Sequence, residues 1–244
     1  MSEPWHLGMM CAFDLETTGT DVENDRIVTA CVAWVDGSGK KAPQVRNWLA
    51  WPGIDIPQKA TDVHGITTEH AHEHGLPAFQ VADEVAAAVG QAAGSGVPIV
   101  AFNASYDLTL LDREVARYEL GSFTWGLEAA KALVIDPLVL DKALDRYRKG
   151  SRKLGDVAAH YGVKAEGAHS ADGDALAAAR VAWKIASRYP HIAKMGRAQL
   201  MTFQRAAQAE QARSLRAHLE REGKDASGVV EAWPWRPQTA GAVA

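Results

Sequence analysis

The hydrophobic pattern opens on an apolar run, Met9-Met10-Cys11-Ala12-Phe13, with the length and make-up of a buried strand. Directly beyond it, Asp14-Leu15-Glu16-Thr17-Thr18-Gly19 places two carboxylates two positions apart, on one side of an extended backbone. Arg26 to Val35 and Val45 to Trp51 read as the second and third strands. Asp36-Gly37-Ser38-Gly39-Lys40 is the turn between them, so an antiparallel meander precedes any helix. Residues 52–76 read as loop, interrupted by Pro52, Gly53, Pro57, Gly65 and Gly75. Phe79 to Ala93 has helical spacing, and Val97 to Phe102 is the next strand, parallel to the first because a helix separates them.

A helix capped by Asn103 or Ser105 follows and runs to about Glu119, with Leu108, Leu110, Leu111 and Val115 on its buried side. Ala132 to Asp136 makes a fifth short strand, Pro137 opens a helix, and Leu154 to Tyr161 forms another. Next comes an alanine-rich helix over Leu176 to Arg188, and the spacing of Ala171, Ala175 and Ala178 along its entrance and first turn lets it lie close against a sheet. A last helix spans Lys194 to Glu222, with Met195, Leu200, Phe203, Ala207, Leu215 and Leu219 as an interrupted apolar stripe. That stripe suits packing back on the domain, a partner surface or nucleic-acid contact.

Composition narrows the class. The 244 residues fit one domain of roughly 180–200 residues plus an extension, or two small domains. A hydrophobic share of 47% supports a sizeable core. The formal net charge of −4 hides a division, because residues 184–224 carry nine Lys or Arg against three Glu. Lys142, Arg146, Arg148, Lys149, Arg152 and Lys153 form a second basic cluster, suited to a solvated helix end or to phosphate contact. Cys11 and Cys31 lie inside apolar runs without CxxC spacing, so they read as small buried hydrophobes in a reducing compartment and not as zinc ligands. The amino terminus has no basic segment leading into an apolar core, and no apolar run reaches membrane-spanning length, so a cytoplasmic protein with no membrane partner is expected.

The chemistry rests on acids at element ends. Asp14 and Glu16 suit a strand leaving into a polar turn, or half of a site for a hard divalent cation, which needs further carboxylates from elsewhere. Asp107 falls in the first turns of a helix, where dipole stabilisation alone would account for it. Asp136 is explained by a helix cap. His70, His72 and His74 accompany Glu69 and Glu73 and read as a solvated helix start, whereas His64, before a glycine-led turn, suits either a local hydrogen bond or substrate contact. His169 stands five residues before Asp174, which sets a titratable ring on a looser segment beside a carboxylate on a regular element.

Three stretches, Asp14 to Gly19, Asn103-Ala104-Ser105-Tyr106-Asp107 and His169-Ser170-Ala171-Asp172-Gly173-Asp174-Ala175, resemble in order and spacing the three motifs of the DEDDh 3'-5' exonucleases. That group includes the proofreading epsilon subunit of bacterial DNA polymerase III. His64-Gly65-Ile66-Thr67 is similar to the family's His-Gly-Ile-Thr segment, and the likeness covers roughly residues 7–190. Two positions depart from the family pattern: Tyr106 where phenylalanine is usual, and Phe102 where histidine is frequent.

The resemblance implies a ribonuclease H-like α/β fold with a mixed five-stranded sheet and flanking helices over residues 1–192, with 193–244 as a helical extension and tail. It further implies two Mg2+ or Mn2+ ions held by Asp14, Glu16, Asp107 and Asp174, with His169 as general base. Leu15, Thr17, Thr18, His64, Ile66 and Asn103 would surround the terminal nucleotide. The expected activity is removal of nucleoside 5'-monophosphates from a single-stranded or frayed DNA 3' end in proofreading or repair. The alternatives are an exoribonuclease of the oligoribonuclease or RNase T kind, and a polymerase-bound scaffold. Gln199-Leu200-Met201-Thr202-Phe203 is faintly similar to sliding-clamp peptides, which adds a clamp to the polymerase as an expected partner.

Overall fold

The computed structural model describes residues 4–164 and 170–237. Six strands form one sheet in the order β4-β3-β2-β1-β5-β6. β1 (Met9–Thr17), β2 (Ile27–Asp36) and β3 (Gln44–Trp51) make the antiparallel meander. β5 (Ile99–Val100) and β6 (Val134–Ile135) extend the sheet in parallel from β1. The sheet is therefore mixed, with β1 near its centre, as the sequence predicts. The expected five strands become six because β4 (Leu76–Pro77) pairs in parallel with the end of β3. Two residues, one of them proline, carry no periodicity from which to read a strand.

The loop expected over 52–76 contains two short helices, α1 (Gln58–His64) and α2 (Thr68–His74). Its prolines and glycines punctuate them. Pro57 precedes α1, Gly65 closes it at φ 77°, where side-chain-bearing residues are strained, and Thr67 caps α2 by accepting from the His70 N–H. The histidines at 70, 72 and 74 do belong to a helix. α3 (Ala78–Gly94) and α4 (Ala104–Arg117) fall where the spacing puts them. α5 (Phe123–Ala129), which buries only Phe123 and Leu127, is too short to announce itself. α6 (Pro137–Leu144) and α7 (Leu154–His160) match expectation.

Alternation along β1 sorts the core. Cys11, Phe13 and Leu15 face a layer built with α3, α4 and α5. Met10 faces the other layer, formed by α6, α7 and α8 (Ala171–Arg188). Ala12 meets Ala171, Ala175 and Ala179. The small side chains bring α8 close against β1 and β2. Because that helix starts at Ala171 rather than near Leu176, Asp172 and Asp174 sit in its first turn.

After the short α9 (Pro190–Ala193), α10 (Arg197–Arg221) returns across the domain, burying Leu200, Gln204 and Ala212. The tail then runs back over α4, and Trp233 enters the core at 4% exposure. The last helix thus takes the packing role among those its stripe allowed. Among the described residues, no helix is long and apolar enough to cross a membrane.

Candidate metal centre

β1 alternation puts Asp14 and Glu16 on the side of Ala12, facing α8. The alanine contact lowers Asp174 onto the same spot, and one carboxylate oxygen from each of Asp14, Glu16 and Asp174 lies within 4.8 Å of the other two. A register shift between Glu16 and Thr17, where Glu16 pairs with Thr29 and Thr17 with Ile27, ends the regular ladder directly beside these acids.

Asp107 reaches the site from the opposite layer. β5 is two residues long, so the β1 edge runs on beyond it. The Cys11 N–H on that edge is taken by the Pro98 carbonyl at 2.8 Å, and the Leu15 N–H further along donates to Asp107 Oδ1 at 3.1 Å. Asp107 is thereby fixed at 3% exposure next to Asp14. It is not one of the three tightly grouped acids.

Asp136 lies behind Asp107 and accepts from four backbone N–H groups. These are Asn103 and Ala104 at the start of α4 (3.0 and 2.9 Å), and Leu138 and Val139 at the start of α6 (3.0 and 3.3 Å). The cap expected from Asn103 or Ser105 is therefore supplied by the neighbouring strand. Asn103 itself adopts a left-handed backbone at φ 66° and makes no side-chain cap. Asp136 is a cap, as its sequence context indicates, but for two helices at once.

Crowding dominates the electrostatics. Burial pushes Asp14 well above the ordinary carboxylate range, and the charges of Asp107, Asp174 and Glu16 push it further. Burial, with Asp174 beside it, raises Glu16 to about 7. Asp107 is also raised by burial, although the Leu15 N–H opposes the shift. Four acids held this way resist joint ionisation unless cations join them. The donors are all hard carboxylate oxygens, while the buried Cys11 and Cys31 thiols are pushed up to about 12, so the site fits a Mg2+- or Mn2+-type ion.

The expected substrate residues divide. The Leu15 side chain points into the core on the far side of β1, leaving only its backbone near the acids. Thr17 and Tyr106 hydroxyls lie 2.5 Å apart, and both reach the Gly19 carbonyl, at 2.7 and 2.6 Å. The Thr18 hydroxyl donates to Asp25 Oδ1 at 2.7 Å and accepts from the Arg26 N–H, so it is committed to its own loop. His64 Nδ1 accepts from the Ile66 N–H at 3.1 Å. Its buried Nε2 has no hydrogen-bond partner of good geometry, and burial lowers its pKa, with the Thr17 backbone opposing. Ile66 packs against Val28, Ile56 and Ala71, and Asn103 is exposed. His169 lies outside the described residues.

Sequence reasoning missed the part played by Tyr106, whose hydroxyl ties α4 to the turn after β1. It also missed Asp25, which sits in a loop whose polar composition conceals its contact with Thr18.

With this geometry, the comparisons are specific. The sequence profile of the RNase T family, described as exonuclease, matches residues 11–182. The chain belongs to that family, within the DnaQ-like 3'-5' exonucleases of the DEDD superfamily. Exonuclease I of E. coli in complex with a dT13 oligonucleotide shares the fold with a TM-score of 0.61 and 19% identity, over 76% of this chain and 42% of that one. The zinc-bound E. coli exonuclease I complex with single-stranded DNA gives 0.63 at 19%, over 75% and 41%. A moderately thermophilic exonuclease I from Methylocaldum szegediense gives 0.59 at 20%, over 75% and 41%. The chain thus spans about two fifths of the length of those enzymes. No curated protein matches it significantly.

Proposed function

We propose that this chain is a metal-dependent 3'-5' exonuclease releasing nucleoside 5'-monophosphates from DNA 3' ends. The observation that carries the reading is the meeting of Asp14, Glu16 and Asp174 within 4.8 Å in a chain of an exonuclease family, with Asp107 pinned beside them. Asp14, Glu16, Asp107 and Asp174 would hold two Mg2+ or Mn2+ ions, which would supply water activation, charge neutralisation at the phosphate and stabilisation of the departing 3' oxygen.

The protein groups orient and exclude. Asn103, exposed on its left-handed turn, offers a polar contact to the terminal nucleotide, the half-buried His64 ring lies by the Thr17 backbone as the second expected contact, and Tyr106 holds the Thr17 hydroxyl. Ile66 supplies an apolar edge, and the Leu15 and Thr18 backbones shape the floor. His169, five residues before Asp174 in the sequence, removes the proton of the attacking water, a role imidazole suits at neutral pH.

DNA is preferred as substrate because the exonuclease I structures sharing this fold contain DNA. Residues 1–192 carry the chemistry, and 193–244 form an extension whose described part packs back on them. The clamp-peptide reading of Gln199 to Phe203 loses support, since the segment lies in α10 with Leu200 fully buried.

The test is product analysis on 3'-mismatched DNA, paired DNA and RNA of one sequence, with Mg2+ or Mn2+. The expected result is 5'-mononucleotide release from DNA, fastest at the frayed end. Preferential RNA digestion would replace DNA by RNA as substrate. Inactivity of the purified chain on every strand would favour a scaffolding role.

A further inference from the structure

A cleft of about 980 Å³ opens at the start of α4, the helix that carries Asp107. It begins at Asn103 and Tyr106, the latter holding Thr17 next to Glu16, and runs away between α6, the α6–α7 connection and α10. Its far wall, contributed by α10 and by residues 228–236, lies beyond the residues that match the family.

The lining is cationic with aromatic interruptions. Lys142 forms no ion pair among the described residues, and burial holds its ammonium below the ordinary lysine range although Asp136 and Asp141 oppose the shift. Arg148 and Arg152 share the single buried carboxylate of Asp141, at 2.9 and 2.5 Å, which leaves net positive charge at the wall. Arg236 enters from the tail with its Nε buried and unpartnered. Arg146 meets Glu210 of α10 across the cleft at 2.5 Å, but both are more than half exposed, so a phosphate can take the place of that carboxylate. Tyr147, beside Arg146, is 87% exposed, and Phe203 lines the opposite side.

Cations spaced along a groove, with aromatic rings between them, match the alternating phosphates and bases of a single strand. We propose that this cleft is the track for the single-stranded nucleic acid leading into the acid site, with Lys142 and Arg146 on its phosphates and Tyr147 stacking a base. This rests on the exonuclease reading for which end enters first, but binding can be measured without cleavage. The C-terminal extension then acts as one bank of the track.

The test is fluorescence anisotropy, in chelator, with a labelled strand of about 12 nucleotides, within the roughly 4–16 that single-strand binding modules cover. Lys142→Gln with Arg146→Gln is expected to weaken binding at least tenfold and to reduce the salt slope by about 1.4, or about 0.7 per lost phosphate contact. Tyr147→Ala, at an exposed position with no packing role, is expected to cost about tenfold. Glu210→Gln is expected to tighten binding, a change that loss of a merely structural ion pair would not produce.

Turnover of the p-nitrophenyl ester of thymidine 5'-monophosphate, which does not reach the cleft, stays unchanged in all three variants. Unaltered strand affinity in both the double variant and Tyr147→Ala overturns the track, as does a free mononucleotide that competes as well as the strand. If the wild type binds the strand with these variant effects yet hydrolyses neither strand nor ester, the exonuclease reading fails while the track stands.

Discussion

At the scale of residues, the acid site is a cluster of like charges whose cost depends on pH. Glu16 titrates at about 7 in the folded chain against an ordinary 4.5, and Asp14 and Asp107 are shifted the same way. A raised carboxylate keeps its proton in the folded state where the unfolded chain has already released one. Its favourable contribution is therefore complete below about 4.5 and is lost as pH rises through about 7. The metal-free protein is expected to melt at lower temperature at about pH 8 than at about pH 5, and Mg2+ or Mn2+ should reverse the trend, since metal binding requires deprotonated ligands. Differential scanning fluorimetry with and without chelator checks both.

Asp174→Asn removes a charge that raises both Asp14 and Glu16. In chelator near neutral pH it should raise the melting temperature by about 2–4 °C while abolishing metal-supported cleavage. A drop in melting temperature would contradict the crowding argument. His169→Ala should lower the cleavage rate by about 10²–10⁴-fold and leave Mn2+ affinity, measured by calorimetry, unchanged.

At the scale of elements, Asp136 joins the layer that carries Asp107 to the extension. Besides capping α4 and α6, it accepts from Trp233 Nε1 at 3.3 Å, and its own N–H donates to Gln204 of α10 at 2.8 Å. Asp136→Ala is expected to cost about 2–4 kcal/mol, two lost caps plus orphaned buried donors, measured by urea unfolding. Activity should fall with it, because α4 carries Asp107.

The same scale shows what could be read from the chain alone. β1, β2 and β3 and the helices α3, α4, α8 and α10 were legible because each is long enough to show an apolar run or a recurring apolar spacing. The acids were legible because their spacing survives as a pattern. β4, α1, α2 and α5 were not, since two to seven residues hold too few apolar positions, and their form follows from what they pack against. The start of α8 was hidden by Asp172, Gly173 and Asp174, which read as loop but form its first turn. The sharing of Asp136 between two helix starts depends on the approach of separate elements, which spacing along one chain does not encode.

At the scale of the molecule, the tail is tied by polar contacts to α4 and to α10. Arg113 holds Glu23 at 2.8 Å and the Pro237 carbonyl at 2.9 Å, while Thr109 receives the Arg236 N–H and Arg216 holds the Val229 carbonyl and Glu231. Truncation after Lys224 removes Trp233 from the core and is expected to cost several kcal/mol, on the order of an aromatic core deletion, seen as a lower denaturant midpoint. The uneven charge fits this layout. An acidic body surrounds the carboxylate site, and the basic 184–224 stretch supplies α10, a wall of the cleft that opens at the start of α4.

The most direct measurement is digestion of a 5'-labelled single strand in Mg2+ by the wild type and by Asp14→Asn, resolved nucleotide by nucleotide. A metal-dependent 3'-5' exonuclease built on Asp14, Glu16, Asp107 and Asp174 predicts a ladder shortening stepwise from the 3' end in the wild type and an intact strand with the variant. Equal digestion by both proteins, or shortening from the labelled end, would contradict it.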